Sequence, residues 1–488
     1  MSETIDIPAT VVPGRGEARS FDDEGSHSID PVTDSARTSR PNHQFWIWAG
    51  ANIAPINWLL GALGIQQGLG LGTTAAVLVV GNLIGMSVFG VFVLMGQQTG
   101  VTQMVLSRAA FGRRGAHLPT LLQGVISAGW CAINTYIVLS LVMALLGKLG
   151  VHPASAGQAH AIQIGVVLLV MGVQVWIAAN GFRWIAAFEK YTVPVTLVVL
   201  VLMTVVAWTR LHIDWGYAGD AQLTGGAKWS VISGVMTAIG IGWGITWFAY
   251  ASDYSRFVPR TASRRRLYLA STLGQFLPVI WLGLLGATLA TRDPSTDPGE
   301  LIVGSFGVLA LPVLLLVLHG PIATNIVNLY SCGLAAQALG LSISRRTLAY
   351  VVGAAASVFT IFLVFHNDLG STIDAWLAGL VTWVAPWAGI MLVHWFVIAR
   401  RRISVPDLYR TPEQSCYGDV RWPALVAFIV GMATTWMFEF GLVSWLQGPI
   451  ARAMGGVDLS WLAGLIVGAG LYLVLYRVDA RRATAAPA

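Results

Sequence analysis

Residues Phe45 to Gly64 read FWIWAGANIAPINWLLGALG, a run long enough to cross a bilayer and free of charge. The stretch predicts a transmembrane helix that is interrupted in its middle, at Asn52-Ile53-Ala54-Pro55-Ile56-Asn57. Proline removes a backbone donor, and two primary amides stand at the depth where polar groups cost most. Hydrocarbon tolerates freed backbone groups only where protein or a watery cavity satisfies them. A broken helix with Asn52 and Asn57 at its break is therefore a candidate binding site. A plain proline kink, its amides bonded to neighbouring helices, is the alternative.

The rest of the chain belongs to the same class. Of its 488 residues, 55% are hydrophobic and 11% charged, with a mean hydropathy of +0.68, against about 25% charge in soluble domains. The 20 Trp and 54 Gly fit interfacial anchoring and close helix packing. Cys131, Cys332 and Cys416 form no CxxC pair, so no disulfide framework or metal site follows. Walker, HExxH and nucleophile–base motifs are absent, which leaves an enzyme reading without support. Residues 1–44 are polar, lack the apolar core of a signal peptide, and are expected to form a disordered cytoplasmic tail.

Apolar runs predict about twelve spans, near 46–66, 72–95, 119–146, 161–180, 187–208, 230–250, 267–290, 303–333, 347–366, 371–398, 423–446 and 459–477. Alternate loops carry most of the Lys and Arg, including Arg108, Arg113, Arg114, Arg260, Arg264–Arg266 and Arg400–Arg402. The positive-inside rule places that side, and both termini, in the cytoplasm of a plasma-membrane protein. The net charge of +6 thus expresses topology and gives no reason to expect nucleic acid as a partner. The partner it does imply is the lipid bilayer.

Span 6 resembles span 1 in kind. Gly240, Gly242 and Gly244 surround Trp243, a poor helical pattern that leaves backbone exposed. Two interrupted spans, five apart, predict two five-helix repeats of opposite orientation with a site between the breaks. The repeats are placed at 45–210 and 228–400, with accessory helices over 423–477 and a tail over 478–488. No strong internal sequence identity accompanies them.

Polar side chains inside the spans narrow the chemistry. Trp130 and Asn134 in span 3 are i and i+4, on one helix face. An indole face beside a primary amide suits a planar heteroaromatic ligand; an interfacial Trp and an interhelical amide clasp are the alternative. Span 8 packs Thr324, Asn325 and Asn328 into five residues, and such groups face a bundle interior. Asp253 and Arg256 close span 6 as a candidate ion pair or gate. Glu439 and Asp374 are candidate acids for proton coupling, and His319, His366 and His394 are unclustered.

Asn52 to Gly64, TGVTQMVLSRAAFGRRGAHLPTLLQ (Thr99 to Gln123), GWCAINTY (Gly129 to Tyr136), ASDYSRF (Ala251 to Phe257) and TNIVNLYSCGL (Thr324 to Leu334) together resemble the nucleobase:cation symporter family. This is the family of purine, cytosine, uracil, allantoin and hydantoin permeases. The likeness spans nearly the whole chain after the tail, and SRAAFGRRGA followed by Gly-Trp is its most specific part. Trp-x-x-x-Asn in span 3 is similar to the purine–cytosine branch.

The resemblance implies a LeuT-like all-α fold with ten core helices in two inverted repeats plus two more. It also implies a secondary carrier importing cytosine or a purine with Na+ or H+ by alternating access, without a resident cofactor. Another small heterocycle, such as allantoin, a hydantoin or a vitamin precursor, or an uncoupled channel, is the alternative. By the resemblance Trp130 stacks on the base, Asn134 bonds its edge, and Asn57 and Asn328 fall at substrate-site positions; Asn325 is a further substrate-binding candidate from the polar loading of span 8. Two alignments compete for the span 6 stacking residue, Trp243 and Trp247. Carbonyls of Ile53 and Ile56 with the Thr324 hydroxyl correspond to a sodium site, although Ala323 stands where a second hydroxyl belongs.

Overall fold

The computed structural model describes residues 29–485 apart from 55, 181, 293–297, 308–309, 342 and 367–368. Pro55 and residues 1–28 of the expected tail therefore lie outside the described residues. The helices in chain order are α1 (Pro41–Asn52), α2 (Ile56–Gln66), α3 (Leu71–Thr99), α4 (Gln103–Phe111), α5 (His117–Lys148), α6 (Ala156–Asn180) and α7 (Phe182–Arg210). Next come α8 (Gly225–Val235), α9 (Gly242–Thr246), α10 (Ala251–Ser255), α11 (Arg264–Ala290), α12 (Pro298–Phe306), α13 (Ala310–Val317) and α14 (His319–Ala338). The chain ends with α15 (Arg345–His366), α16 (Leu369–Val393), α17 (Trp422–Met437), α18 (Pro449–Ala453) and α19 (Ser460–Ala485). Among the described residues 9 helices are long and apolar enough to span a membrane, and Ile56–Gln66, Val195–Arg210 and Trp422–Met437 are shorter apolar ones.

Both predicted interruptions are present. Span 1 is α1 and α2, with Ile53 and Ala54 non-helical between them. Span 6 passes from α8 through a π-helical stretch, Met236–Ile241, into α9, then a 3-10 turn, Phe248–Tyr250, and α10. Its glycines have a use the alternation did not show. A Cβ on Gly240 would lie 3.0 Å from Gly81 Cα, and one on Gly244 would lie 2.8 Å from Gly85 Cα. Gly81 and Gly85 on α3 thus meet Gly240 and Gly244 on span 6, small residues four apart on both sides that let the backbones touch. On the opposite face of the same group, α2 presses Gly61 against the Gly283 carbonyl of α11.

Packing sorts the helices into two groups. Spans 1, 2, 6 and 7 contact one another through α1, α2, α3, α9 and α11, while α5, α6, α14 and α15 form the second set. Helix α16 touches span 6 and also joins α17 and α19 in a flanking layer. Buried side chains line the faces between groups, whereas Leu168, Leu169, Val198, Leu202, Val358 and Ile466 are exposed on the periphery as a lipid-facing surface requires. Trp46, Trp215, Trp229, Trp422 and Trp445 are exposed as well, near helix starts or in the connections between helices.

Four boundaries differ from the sequence expectation. Residues 29–44 are not a free tail, because Pro41 starts α1 and the preceding segment is tied down. Val32 N bonds Gly100 O (2.9 Å), Ser39 N bonds Phe257 O (3.0 Å), and buried Arg37 donates to Gln97 O (2.8 Å). At the other end α19 continues through residues placed in the C-terminal tail. The apolar run 303–333 is divided: α12 ends at Phe306, and the crossing helix is Val313–Ala338. Finally, α17 stops at Met437, so Glu439 sits in the turn beyond it, its Oε2 accepting from Thr382 Oγ1 (3.0 Å).

Candidate functional site

The two breaks meet each other beside α5 and α14, and a small cavity opens where the four stretches converge. It is lined by Ala51 and Ile56 beside the first break, Trp130 and Asn134 from α5, and Trp243, Thr246, Trp247 and Tyr250 from span 6. Thr324 and Asn328 of α14 complete it. Trp130 and Asn134 share one helix face, as their spacing predicts. Both span 6 tryptophans reach the cavity, because 243, 247 and 250 form one helical stripe; that periodicity could have identified Tyr250 from sequence as well. The same stripe takes in Thr246, whereas Ala51 carries no comparable sequence signal.

The walls are aromatic. Trp130 and Trp243 are edge-to-face with centroids 5.7 Å apart and planes at 87°, and Trp247 continues the series 6.4 Å from Trp243. Gly129 makes room behind Trp130, since a Cβ there would fall 1.9 Å from the Trp376 ring. Trp376 occupies that space and meets Trp130 edge-on at 6.3 Å.

The hydrogen-bonding state of the wall is uneven. Trp130 Nε1, Trp247 Nε1 and Asn328 Nδ2 are buried and have no partner among the described residues. A buried donor left unmet costs about 1–3 kcal/mol. Trp243 differs, since its indole N–H donates to Asn52 Oδ1 (3.0 Å). Tyr250 Oη lies 3.0 Å from Ser127 Oγ and donates weakly to Asn328 Oδ1 at 3.4 Å.

Two residues expected at the substrate position are placed elsewhere. Asn57 turns its amide back to the Asn52 carbonyl, and Asn52 Nδ2 donates to Trp48 O at 2.8 Å. Asn57 thereby satisfies a carbonyl freed by the break, Asn52 bonds back within α1, and Asn57 does not line the cavity. Asn325 lies behind Asn134 and accepts from its Nδ2 at 3.0 Å. The helical phase of α14 carries Thr324 and Asn328 to the cavity and turns Asn325 toward α5 and α6. Thr324 Oγ1 donates to Gly320 O (3.0 Å) and lies 3.5 Å from Ala51 O, so the hydroxyl does stand against the first break. Of the two expected carbonyl bearers, Ile56 lines the cavity and Ile53 is buried beside it.

Asp253 is outside the cavity. Its carboxylate accepts from Gln103 N (3.0 Å) and Ser331 Oγ (3.3 Å), while Arg256 donates to Tyr330 Oη (3.2 Å). These bonds join the end of span 6 to α4 and α14. Asp374 accepts from Leu442 N (2.8 Å), and His394 is bonded to Tyr472 Oη (2.8 Å), both remote from the cavity. No group of three His, Cys, Asp or Glu side chains that could hold a metal is found among the described residues.

Two interrupted helices in an all-α polytopic bundle, enclosing a buried aromatic pocket at mid-depth, define a membrane transporter. The model of one family, described as permease for cytosine/purines, uracil, thiamine, allantoin, matches residues 31–464, and the chain belongs to that family. Purine-cytosine permease FCY2 of Saccharomyces cerevisiae is 27% identical, with 92% of this chain and 84% of the relative covered. Purine-cytosine permease fcyB of Emericella nidulans is 24% identical over 88% of this chain and 83% of its own. Among solved structures, the closed form of Mhp1, a nucleobase-cation-symport-1 family transporter with bromovinylhydantoin bound, superposes with a TM-score of 0.73. It is 20% identical, with 93% of this chain and 96% of that chain covered, and shows the same LeuT-like fold.

Proposed function

We propose that this permease is a secondary active carrier that imports cytosine or a purine together with a cation, by alternating access between the two helix groups. The observation that carries the reading is a cavity walled by the indoles of Trp130, Trp243 and Trp247 with the amides of Asn134 and Asn328 beside them. A planar base supplies both a π face and ring or carbonyl acceptors. Trp130, Trp247 and Trp243 would frame the ring, with Asn134 and Asn328 reading its edge. The pairing of spans 1 and 2 with 6 and 7, and of 3 and 4 with 8 and 9, supports the inverted-repeat division. The same fold could take allantoin or a hydantoin, and uptake decides among them. Radiolabelled cytosine or adenine should accumulate against its gradient, be displaced by a few bases, and lose accumulation when the ion gradients are collapsed. Stronger displacement by allantoin or hydantoin would change the substrate class, and gradient-independent equilibration would make the protein a facilitator.

The orientation follows the basic residues. Arg108 donates to Ala338 O and Leu408 O, Arg113 to Arg410 O, and Arg260 lies near Asp34, so the basic loops gather at one end of the bundle. That end, with both termini, is assigned to the cytoplasm.

For the cation, the Thr324 hydroxyl near Ala51 O is the candidate position. Hard cations take several oxygen ligands, and Ala323 offers no second hydroxyl beside it. Thr324→Ala should sharply weaken the sodium dependence of uptake while leaving the rank order of bases unchanged. Uptake by the unaltered carrier that ignores sodium and follows pH would sink the sodium version.

A further inference from the structure

Behind Asn134 lies a polar network that the transport reading does not use. It begins at the Cys131 carbonyl, an atom that can only accept. The Asn325 side-chain atom 3.0 Å from it must therefore be the amide nitrogen, Nδ2. The same nitrogen is 2.8 Å from Gln174 Oε1 of α6 and 3.2 Å from Thr135 Oγ1. Thr135 donates to Cys131 O at 2.7 Å, and its oxygen lies 3.2 Å from Gln174 Oε1. With its nitrogen so engaged, Asn325 can offer only its oxygen to α5, and that oxygen accepts from Asn134 Nδ2 at 3.0 Å. Asn134, Thr135, Gln174 and Asn325 are all buried. Turning the Asn134 amide over would set two carbonyl oxygens against each other at 3.0 Å in a buried setting.

We propose that Asn325 and Gln174 are positioning residues that hold the Asn134 carbonyl oxygen toward the substrate, so that the carrier selects heterocycles presenting an N–H donor to span 3. The inference rests on the cavity being the nucleobase site. An isolated Asn can show a base either a donor or an acceptor, and would tolerate either edge. Here the network uses the donor branch and leaves the acceptor branch for the ligand. The remaining wall is complementary, since the unpartnered groups of Trp130, Trp247 and Asn328 are donors. On this proposal one edge of the ring gives a hydrogen to Asn134. Cytosine, adenine and hypoxanthine each carry such an N–H, whereas analogues methylated on that nitrogen do not.

The test is competition binding on the purified full-length carrier, by thermal stabilisation, with each base and its N-methylated analogues. The unaltered protein should bind at least one base roughly tenfold or more tightly than the analogue methylated at the recognised nitrogen, because a buried acceptor is otherwise left unmet. In Asn325→Leu the ratio between that base and its analogue should collapse toward one. Gln174→Leu, which removes only one acceptor of the network, should lower it in the same direction. In an Asn134→Leu background neither substitution should change the ratio further, an outcome a general packing defect would not give. Uniform weakening of all ligands with the ratio preserved would overturn the positioning role. So would an unaltered carrier that binds bases and all their N-methylated forms alike, a result that needs no variant to fold. A carrier that binds no base at all would instead remove the nucleobase reading on which the inference stands.

Discussion

Replacing Trp130 by alanine is expected to weaken every accepted base together, by about ten- to a hundred-fold. Stacking tolerates the identity of the base, and loss of a stacking aromatic costs roughly 1–3 kcal/mol per base at comparable sites. The expectation is sharpened by the surroundings of the ring. Trp376 and Trp243 hold Trp130 edge-on from two sides, so its faces cannot be replaced by a small movement of either neighbour. Trp130→Phe should keep part of the affinity. Asn134→Ala should behave differently and change the rank order among bases, since only hydrogen bonding at one edge is lost. Both follow from competition uptake corrected for the amount of carrier in the membrane. Unchanged affinities across the panel for both variants would place the binding site elsewhere and leave the pair a packing contact.

A larger effect, on the existence of the folded protein, is expected at the glycine contacts. Gly244→Val would introduce a Cβ 2.7 Å from the Gly85 carbonyl carbon, and Gly286→Val one 2.0 Å from the Trp58 carbonyl oxygen. In both cases the obstacle is backbone, which cannot swing aside as a side chain can. Overpacking a well-filled interior costs typically 1–3 kcal/mol and more where backbone must shift. These substitutions should sharply reduce the yield of monodisperse protein and lower its melting temperature. Gly147→Ala is the control: a Cβ there meets nothing within 4 Å, and stability should hold. Normal melting of the Gly244 and Gly286 variants would show that spans 2 and 6, or 1 and 7, can separate at little cost.

Much of this protein is legible in its sequence, and the illegible part has a physical cause. Charge and hydropathy report the lipid environment directly, which is why the spans and the basic end emerge. The breaks emerge because Asn, Pro and clustered Gly are costly in lipid and need a reason to be there. Trp130 and Asn134 are readable because their helix is regular, so spacing gives the face. Asn325 and Asn57 are less so. Along α14 a shift of one residue, from Thr324 to Asn325, turns a side chain from the cavity into the helix interface. At the first break the missing helical hydrogen bonds recruit Asn57 for backbone repair. Hydropathy alone also cannot divide the apolar run of 303–333, because α12 and the crossing helix are similarly apolar. The same limit applies to α17, where an apolar loop follows the helix end.

The first break also joins matters that are usually considered separately. Trp243 holds the side chain of Asn52, Asn57 holds its carbonyl, and Thr324 leans on the carbonyl of the preceding residue, Ala51. A ring pressing on Trp243 and an ion drawing on the Ala51 carbonyl would therefore act on one peptide turn. Free energy then runs both ways: any stiffening of that turn by one passenger benefits the other by an equal factor in affinity. If uptake is coupled to a cation as proposed, the coupling needs no long relay between distant sites, because ring and ion would meet through neighbouring residues.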